Sequence, residues 1–191
     1  QYGKRFIEEF INFASDDLKL FIVFEGECPK EILNIKSNIF VIPFLSQKHH
    51  LFIKYFGKLY EANGLKVKQF IENGQTKLNV SNDYHFNSIK FSFKPFSIHQ
   101  VLDYIPEDLD YLIWTDADLR CKKKFNEESL YTFLPEEEFL MSYLGRKKPW
   151  YSECGFLGFN LRHKNFRDYI NRMIEIYTSG EIFSLEQWHD S

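Results

Sequence analysis

Apolar side chains at Tyr2, Phe6, Ile7, Phe10, Ile11 and Phe13 fall on one side of a helical period and predict an amphipathic helix over residues 2–14. Ser15-Asp16-Asp17 breaks that pattern. Leu18 to Phe24 then runs apolar and ends at Glu25-Gly26, which is how a short buried strand reads. A second run, Ile39 to Ile42, is stopped by Pro43 and predicts another strand. Helical spacing returns over residues 46–62 through Leu51, Phe52, Tyr55, Phe56, Leu59 and Tyr60, with Asn63-Gly64 as the stop. From Val67 to Asp83 the chain is polar, contains Asn73-Gly74 and shows little periodicity, so it reads as a loop or partly ordered excursion. Residues 84–105 favour helix, but Pro95 should divide them, with the second piece starting near Lys94-Pro95 because proline is tolerated in a first helical turn.

The second half alternates more plainly. Tyr111-Leu112-Ile113-Trp114 predicts a buried strand, with Thr115-Asp116-Ala117-Asp118 at its C-terminal end. A short helix near 127–134, strands at 139–144 and 154–160, a helix over 164–178 and a last turn or helix at 184–190 follow. Strands alternating with helices predict an α/β sandwich with a mostly parallel central sheet, folded as a single domain over residues 1–191. There is no internal repeat and no low-complexity tract.

Composition narrows the class. Of 191 residues, 44% are hydrophobic and 18% aromatic, including 21 Phe and 11 Tyr, too much apolar material for a disordered chain. A net charge of −3 and a pI near 6.1 provide no electrostatic footprint for nucleic acid. Basic residues do cluster at Arg120, Lys122, Lys123 and Lys124, and again at Arg146, Lys147 and Lys148. Such clusters read as solvated loops or as a cationic rim for a phosphorylated ligand. Cys28, Cys121 and Cys154 match neither a metal-ligand spacing nor a disulfide framework, which predicts free thiols in a reducing cytosol. No stretch has the length of a membrane span and no signal peptide is recognisable, so the expectation is a cytoplasmic fragment of a longer chain whose remainder can provide peripheral membrane association.

The chemistry concentrates at Asp116 and Asp118. In open α/β sheets ligands bind beyond the C-terminal ends of strands, so a strand ending in Asp-x-Asp presents two carboxylates at the mouth of the fold. They repel each other unless a cation lies between or beside them. Mg²⁺ and Mn²⁺ prefer oxygen ligands and are held by one or two carboxylates with phosphate oxygens completing the shell, an arrangement suited to a leaving diphosphate. The motif alone decides little, because ten aspartates in this length produce about half an Asp-x-Asp by chance. Its place after an aromatic-aliphatic strand containing Trp114 is what distinguishes it from a polar turn.

Trp114-Thr115-Asp116-Ala117-Asp118 resembles the DxD region of nucleotide-sugar glycosyltransferases with the GT-A fold, and more closely a group of bacterial and viral glycosyltransferase-like proteins. The resemblance runs from Tyr2-Gly3-Lys4-Arg5-Phe6 through Phe24-Glu25-Gly26 and Lys90-Phe91-Ser92-Phe93-Lys94 to Glu153-Cys154-Gly155-Phe156-Leu157-Gly158-Phe159-Asn160 and Trp188-His189-Asp190-Ser191. It implies a GT-A three-layer sandwich whose first strand, which contributes to the nucleotide pocket, is missing ahead of Tyr2. It further implies Mn²⁺ or Mg²⁺ held by Asp116, Asp118 and His189, and a nucleoside diphosphate sugar met by Trp114 and Asp116. Lys90 and Lys94, four apart on one helical face, are candidate diphosphate contacts or ordinary surface lysines. Glu153 and Asp190 are the candidate general bases for an acceptor hydroxyl, on a glycan or a lipid-linked acceptor. Two rival readings stand beside this one. A haloacid-dehalogenase-type phosphatase also carries Asp-x-Asp after a strand, but near the start of its fold and usually with Thr or Val where this chain has Leu119. A non-catalytic sugar-nucleotide-binding domain would keep the fold without turnover.

Overall fold

The computed structural model describes residues 2–27, 36–59, 61–73, 75–82, 86–145 and 153–185. In chain order the elements are α1 (Tyr2–Phe13), β1 (Leu20–Phe24), β2 (Ile39–Pro43), α2 (Gln47–Phe56), β3 (Leu65–Glu72), β4 (Gln75–Asn82), α3 (Ser88–Val101), β5 (Tyr111–Thr115), α4 (Glu127–Leu130), β6 (Met141–Leu144), β7 (Glu153–Asn160) and α5 (Phe166–Thr178). Short 3-10 turns follow at Glu61–Asn63, Tyr131–Phe133 and Glu181–Ser184. The protein is mixed α/β. Its Cα packing separates two compact units, residues 1–44 with 101–167, and residues 45–100 with 168–190.

In the first unit, the apolar stripe of α1 does what its spacing predicts. Ile7 and Phe10, each 6% exposed, pack with Ile39 of β2, and Ile11, Ala14, Leu18, Leu20, Ile22 and Phe125 close around them. β1 and β2 pair in parallel, from Leu20 opposite Ile39 to Phe24 opposite Pro43. β5, β7 and β6 form a separate three-stranded sheet, in that order, with β7 antiparallel to both neighbours. Among the described strands, then, one pair is parallel and the rest antiparallel, which bears out the mixed α/β class without extending to a mostly parallel central sheet. β5 and β6 run the same way, and β7 lies between them, opposite to both. A parallel return needs a crossover of a dozen or more residues, usually a helix lying on the sheet, and only eight residues separate β6 from β7. Gly158 marks a tight crossing in this sheet: a Cβ there would stand 2.6 Å from Ser142 Oγ and 3.1 Å from the Phe133 carbonyl oxygen.

The second unit corrects two local expectations. The polar stretch after Val67 is a regular hairpin, β3 against β4, paired from Leu65 opposite Asn82 to Glu72 opposite Gln75. Glu72 and Gln75 close the pairing, and Asn73, next after Glu72, takes φ 52, as the first turn residue of the commonest Asn-Gly hairpin requires. α3 is one helix with Pro95 inside it, not two pieces. Its start is capped by Asn87, whose side-chain oxygen accepts from the Lys90 amide at 2.9 Å and whose carbonyl accepts from Phe91 at 3.2 Å. An internal proline costs about 3 kcal/mol in an exposed helix, but α3 is anchored by buried Ser88, Ser92, Phe96, Ser97 and Ile98. Packing overrides the local preference.

Aromatic rings fill this unit. Phe52, Phe96 and Tyr177 are buried, with Phe52 stacked on Phe96 at 6.4 Å and set edge-on to Tyr177 at 5.4 Å. His49 is buried beside them, 4.6 Å from the Phe93 ring and 5.0 Å from Phe96. Ser92 donates its hydroxyl to the Ile89 carbonyl at 2.6 Å, so it accepts from His49 Nε2 at 2.9 Å and the neutral ring carries its proton there. Burial, and then the charge of adjacent His50, pull the His49 pKa from 6.5 down to about 4. No helix among the described residues is long and apolar enough to cross a membrane. Cys121 and Cys154 are free thiols, as expected; Cys28 lies outside the described residues.

Candidate functional site

The β5 strand ends as its sequence suggests. The Asp116 amide donates to the Gly155 carbonyl of β7 at 2.8 Å, extending the sheet by one residue, and the Leu119 amide donates back to the Asp116 carbonyl at 3.1 Å. Those two bonds fold Ala117 and Asp118 into a turn at the C-terminal end of the strand. Trp114 and Asp116 are two apart, on one side of the extended backbone, and the indole Nε1 donates to Asp116 Oδ1 at 2.8 Å. Trp114 is thereby a neighbour that fixes the orientation of one carboxylate. Asp116 is half-buried and Asp118 is exposed.

Helix α1 holds the turn from the outside. Arg5 Nη2 donates to the Asp118 carbonyl at 3.2 Å. One turn further along, Glu9 accepts from Arg120 Nε at 2.6 Å and, through its other oxygen, from the Cys121 amide at 2.9 Å. Arg5 Nε stands 3.9 Å from the same carboxylate. Burial would raise the Glu9 pKa, but the Cys121 amide, the hydrogen bond and charge of Arg120, and the charge of Arg5 together outweigh it and hold the carboxyl below its ordinary value. Burial and then the Glu9 charge push the Cys121 thiol up, so it stays protonated at neutral pH. The backbone from Asp118 to Cys121 is thus held by Arg5 and Glu9, and Arg120 fixes the Glu9 carboxylate.

The sequence reading missed this arrangement, although a signal for it existed. Glu9 lies three residues after Phe6 and four before Phe13, an acid inside an apolar stripe, with Arg5 four residues earlier on the same face. Asn160, at the end of β7, is occupied structurally: its Nδ2 donates to the Glu137 carbonyl at 3.0 Å and its Oδ1 accepts from the Arg162 amide at 3.0 Å.

The other predicted site residues are placed as follows. Glu153 opens β7, its backbone opposite Leu144 of β6; what is described there stops at the backbone. Trp188, His189 and Asp190 lie outside the described residues. Lys90 and Lys94 belong to the second unit, on α3, with Lys90 exposed and Lys94 half-buried. Among the described residues no group of three or more His, Cys, Asp or Glu side chains forms a metal-binding set. The donors present are therefore two carboxylates, one oriented and one exposed, on a turn whose backbone is tied down. Such a pair fits a hard cation that draws the rest of its shell from a phosphate-bearing ligand and water, as Mg²⁺ usually does. It does not form a closed, all-protein metal cage. No family model matches the chain, and neither the search of curated proteins nor that of solved structures returned a significant match.

Proposed function

We propose that the chain is a metal-dependent glycosyltransferase domain of the GT-A kind, transferring a sugar from a nucleoside diphosphate sugar to a hydroxyl of a glycan or lipid-linked acceptor. The observation that carries this reading is the pair Asp116 and Asp118 at the C-terminal end of β5, with one carboxylate oriented by Trp114 and the turn braced by Arg5, Glu9 and Arg120. In this reading both carboxylates hold Mn²⁺ or Mg²⁺, with His189 as a third ligand. When bound, the metal neutralises charge building on the departing diphosphate. Trp114 and the Glu9 brace keep the carboxylates where that ion is needed, so that little reorganisation remains at the moment of reaction. Glu153 or Asp190 accepts the proton of the attacking hydroxyl. The three-layer GT-A arrangement is part of the same proposal.

The test is turnover of a panel of UDP- and GDP-sugars with and without Mn²⁺. Slow metal-dependent hydrolysis that disappears in Asp118→Ala supports the transferase. Metal-dependent binding with no turnover in the presence of any acceptor would instead make the chain a sugar-nucleotide-binding domain. Hydrolysis of an aryl phosphate without nucleotide binding would contradict both.

A further inference from the structure

Helix α2 has two faces of opposite character. His49, Phe52, Ile53 and Phe56, at spacings of three, four and seven, turn inward; His49 and Phe52 are buried and the other two half-buried. Leu51, Lys54, Tyr55 and Lys58 repeat the same spacing on the other side, and all four are exposed, Lys58 just beyond the helix end. Lys48, three residues before Leu51, is exposed on that side as well. Two large apolar side chains therefore stand in water, Leu51 at 45% and Tyr55 at 66%, with cations on either side. Leu45 and Leu59, at the two ends of the helix, are exposed too.

Charge along the chain sharpens this pattern. No Asp or Glu occurs between Glu31 and Glu61. Residues 45–100 contain eight lysines and three acids, a balance of +5, whereas the whole chain is −3, so the rest carries −8. Residues 168–190 of the same unit add five acids and Arg172, which brings the unit to +1, so the cationic excess belongs to residues 45–100 and not to the unit as a whole; of those acids Glu175 and Glu181 are held by Arg172, at 3.0 and 2.5 Å. An ordinary solvated face would carry both signs and few large apolar groups. This one mixes cations with Leu and Tyr and has no acid in the helix, a composition suited to the headgroup boundary of an anionic bilayer: lysines meet lipid phosphates while the apolar side chains enter between them. A nucleic acid would use the lysines and leave Leu51 and Leu45 unexplained.

We propose that the outer face of α2, centred on Leu51, Lys54, Tyr55 and Lys58, docks the protein on an anionic lipid surface. The proposal is independent of the transferase reading. It is tested by flotation of the full chain with vesicles of phosphatidylcholine alone and of phosphatidylcholine containing phosphatidylglycerol. The protein should float with the anionic vesicles only, and less as salt rises. Lys54→Glu with Lys58→Glu should weaken this about tenfold, and Leu51→Ser with Tyr55→Ser should weaken it without altering net charge. Lys122→Glu with Lys123→Glu, the same charge change on an exposed loop of the other unit, should leave it unchanged. Circular dichroism checks that each pair of surface substitutions keeps the fold. The proposal is overturned by no flotation with anionic vesicles, by flotation that the α2 variants do not weaken, by equal loss in the loop variant, or by retention on a single-stranded oligonucleotide without vesicle binding.

Discussion

At the end of β5 the protein uses charged side chains to hold a polar turn, while in its second unit it hides an imidazole among phenyl rings. Both places bury a titratable group, and the two solutions differ in kind. Glu9 stays ionised because donors from Arg120 and Cys121 replace its water, and the product is a fixed backbone in a turn that carries two carboxylates, one half-buried and one exposed. His49 is kept neutral by its surroundings, with a hydrogen bond to Ser92, and the product is a packed aromatic core. The difference teaches where to look for function. In the proposed reading the charged brace around a turn that itself carries carboxylates serves the metal site as well as the fold, whereas the neutral histidine in an aromatic cluster is accounted for by packing.

The contrast predicts distinct failures. Phe52→Ala removes a fully buried ring that touches Phe96 and Tyr177, and should cost about 3–5 kcal/mol in denaturant unfolding, with metal binding by any folded fraction untouched. Glu9→Gln should do the reverse. The amide side chain can still accept from Cys121, so the melting temperature should shift little, while Mn²⁺ affinity in the presence of UDP falls about 10- to 100-fold, as when a group supporting a metal ligand is removed. If affinity and melting temperature fall together and Glu9→Asp restores neither, the brace is structural only.

Acid separates the two regions next. A histidine with a depressed pKa contributes stability that is complete above its unfolded value of 6.5 and is lost as pH falls toward about 4. Lowering pH from 7 to 5 should therefore remove on the order of 1–2 kcal/mol, measured by urea unfolding, and His49→Leu should flatten that slope. Glu9, whose pKa is lowered, contributes stability present above its ordinary value of 4.5 and lost only below it. A profile that is flat from pH 7 to 5 in the unmodified protein would contradict the neutral, buried His49.

Much of this was legible in the sequence wherever one period dominated. The stripe on α1, the apolar run of β5 and the helix α5 were readable because burial repeats at helical or strand spacing. The hairpin β3–β4 was hidden by its lysines and polar residues, although Asn73-Gly74 stood between two segments of equal length. Pro95 misled because a local penalty says nothing about how deeply Phe96 is buried. The position of Asp116 and Asp118 after β5 followed from the sequence; the grip of Arg5 and Glu9 did not, since it joins residues more than a hundred apart. Of the remaining expectations, His189 and Asp190 fall outside the described residues.

The central claim is that the turn after β5 holds a divalent cation beside a diphosphate. Mn²⁺ titration followed by electron paramagnetic resonance, with UDP and then GDP present, measures this directly for the unmodified chain and for Asp116→Asn with Asp118→Asn. The account predicts saturable binding in the unmodified protein that the double variant loses at least tenfold, with its fold intact by circular dichroism. Equal binding by both proteins, or none by the unmodified chain with either nucleotide, would contradict it.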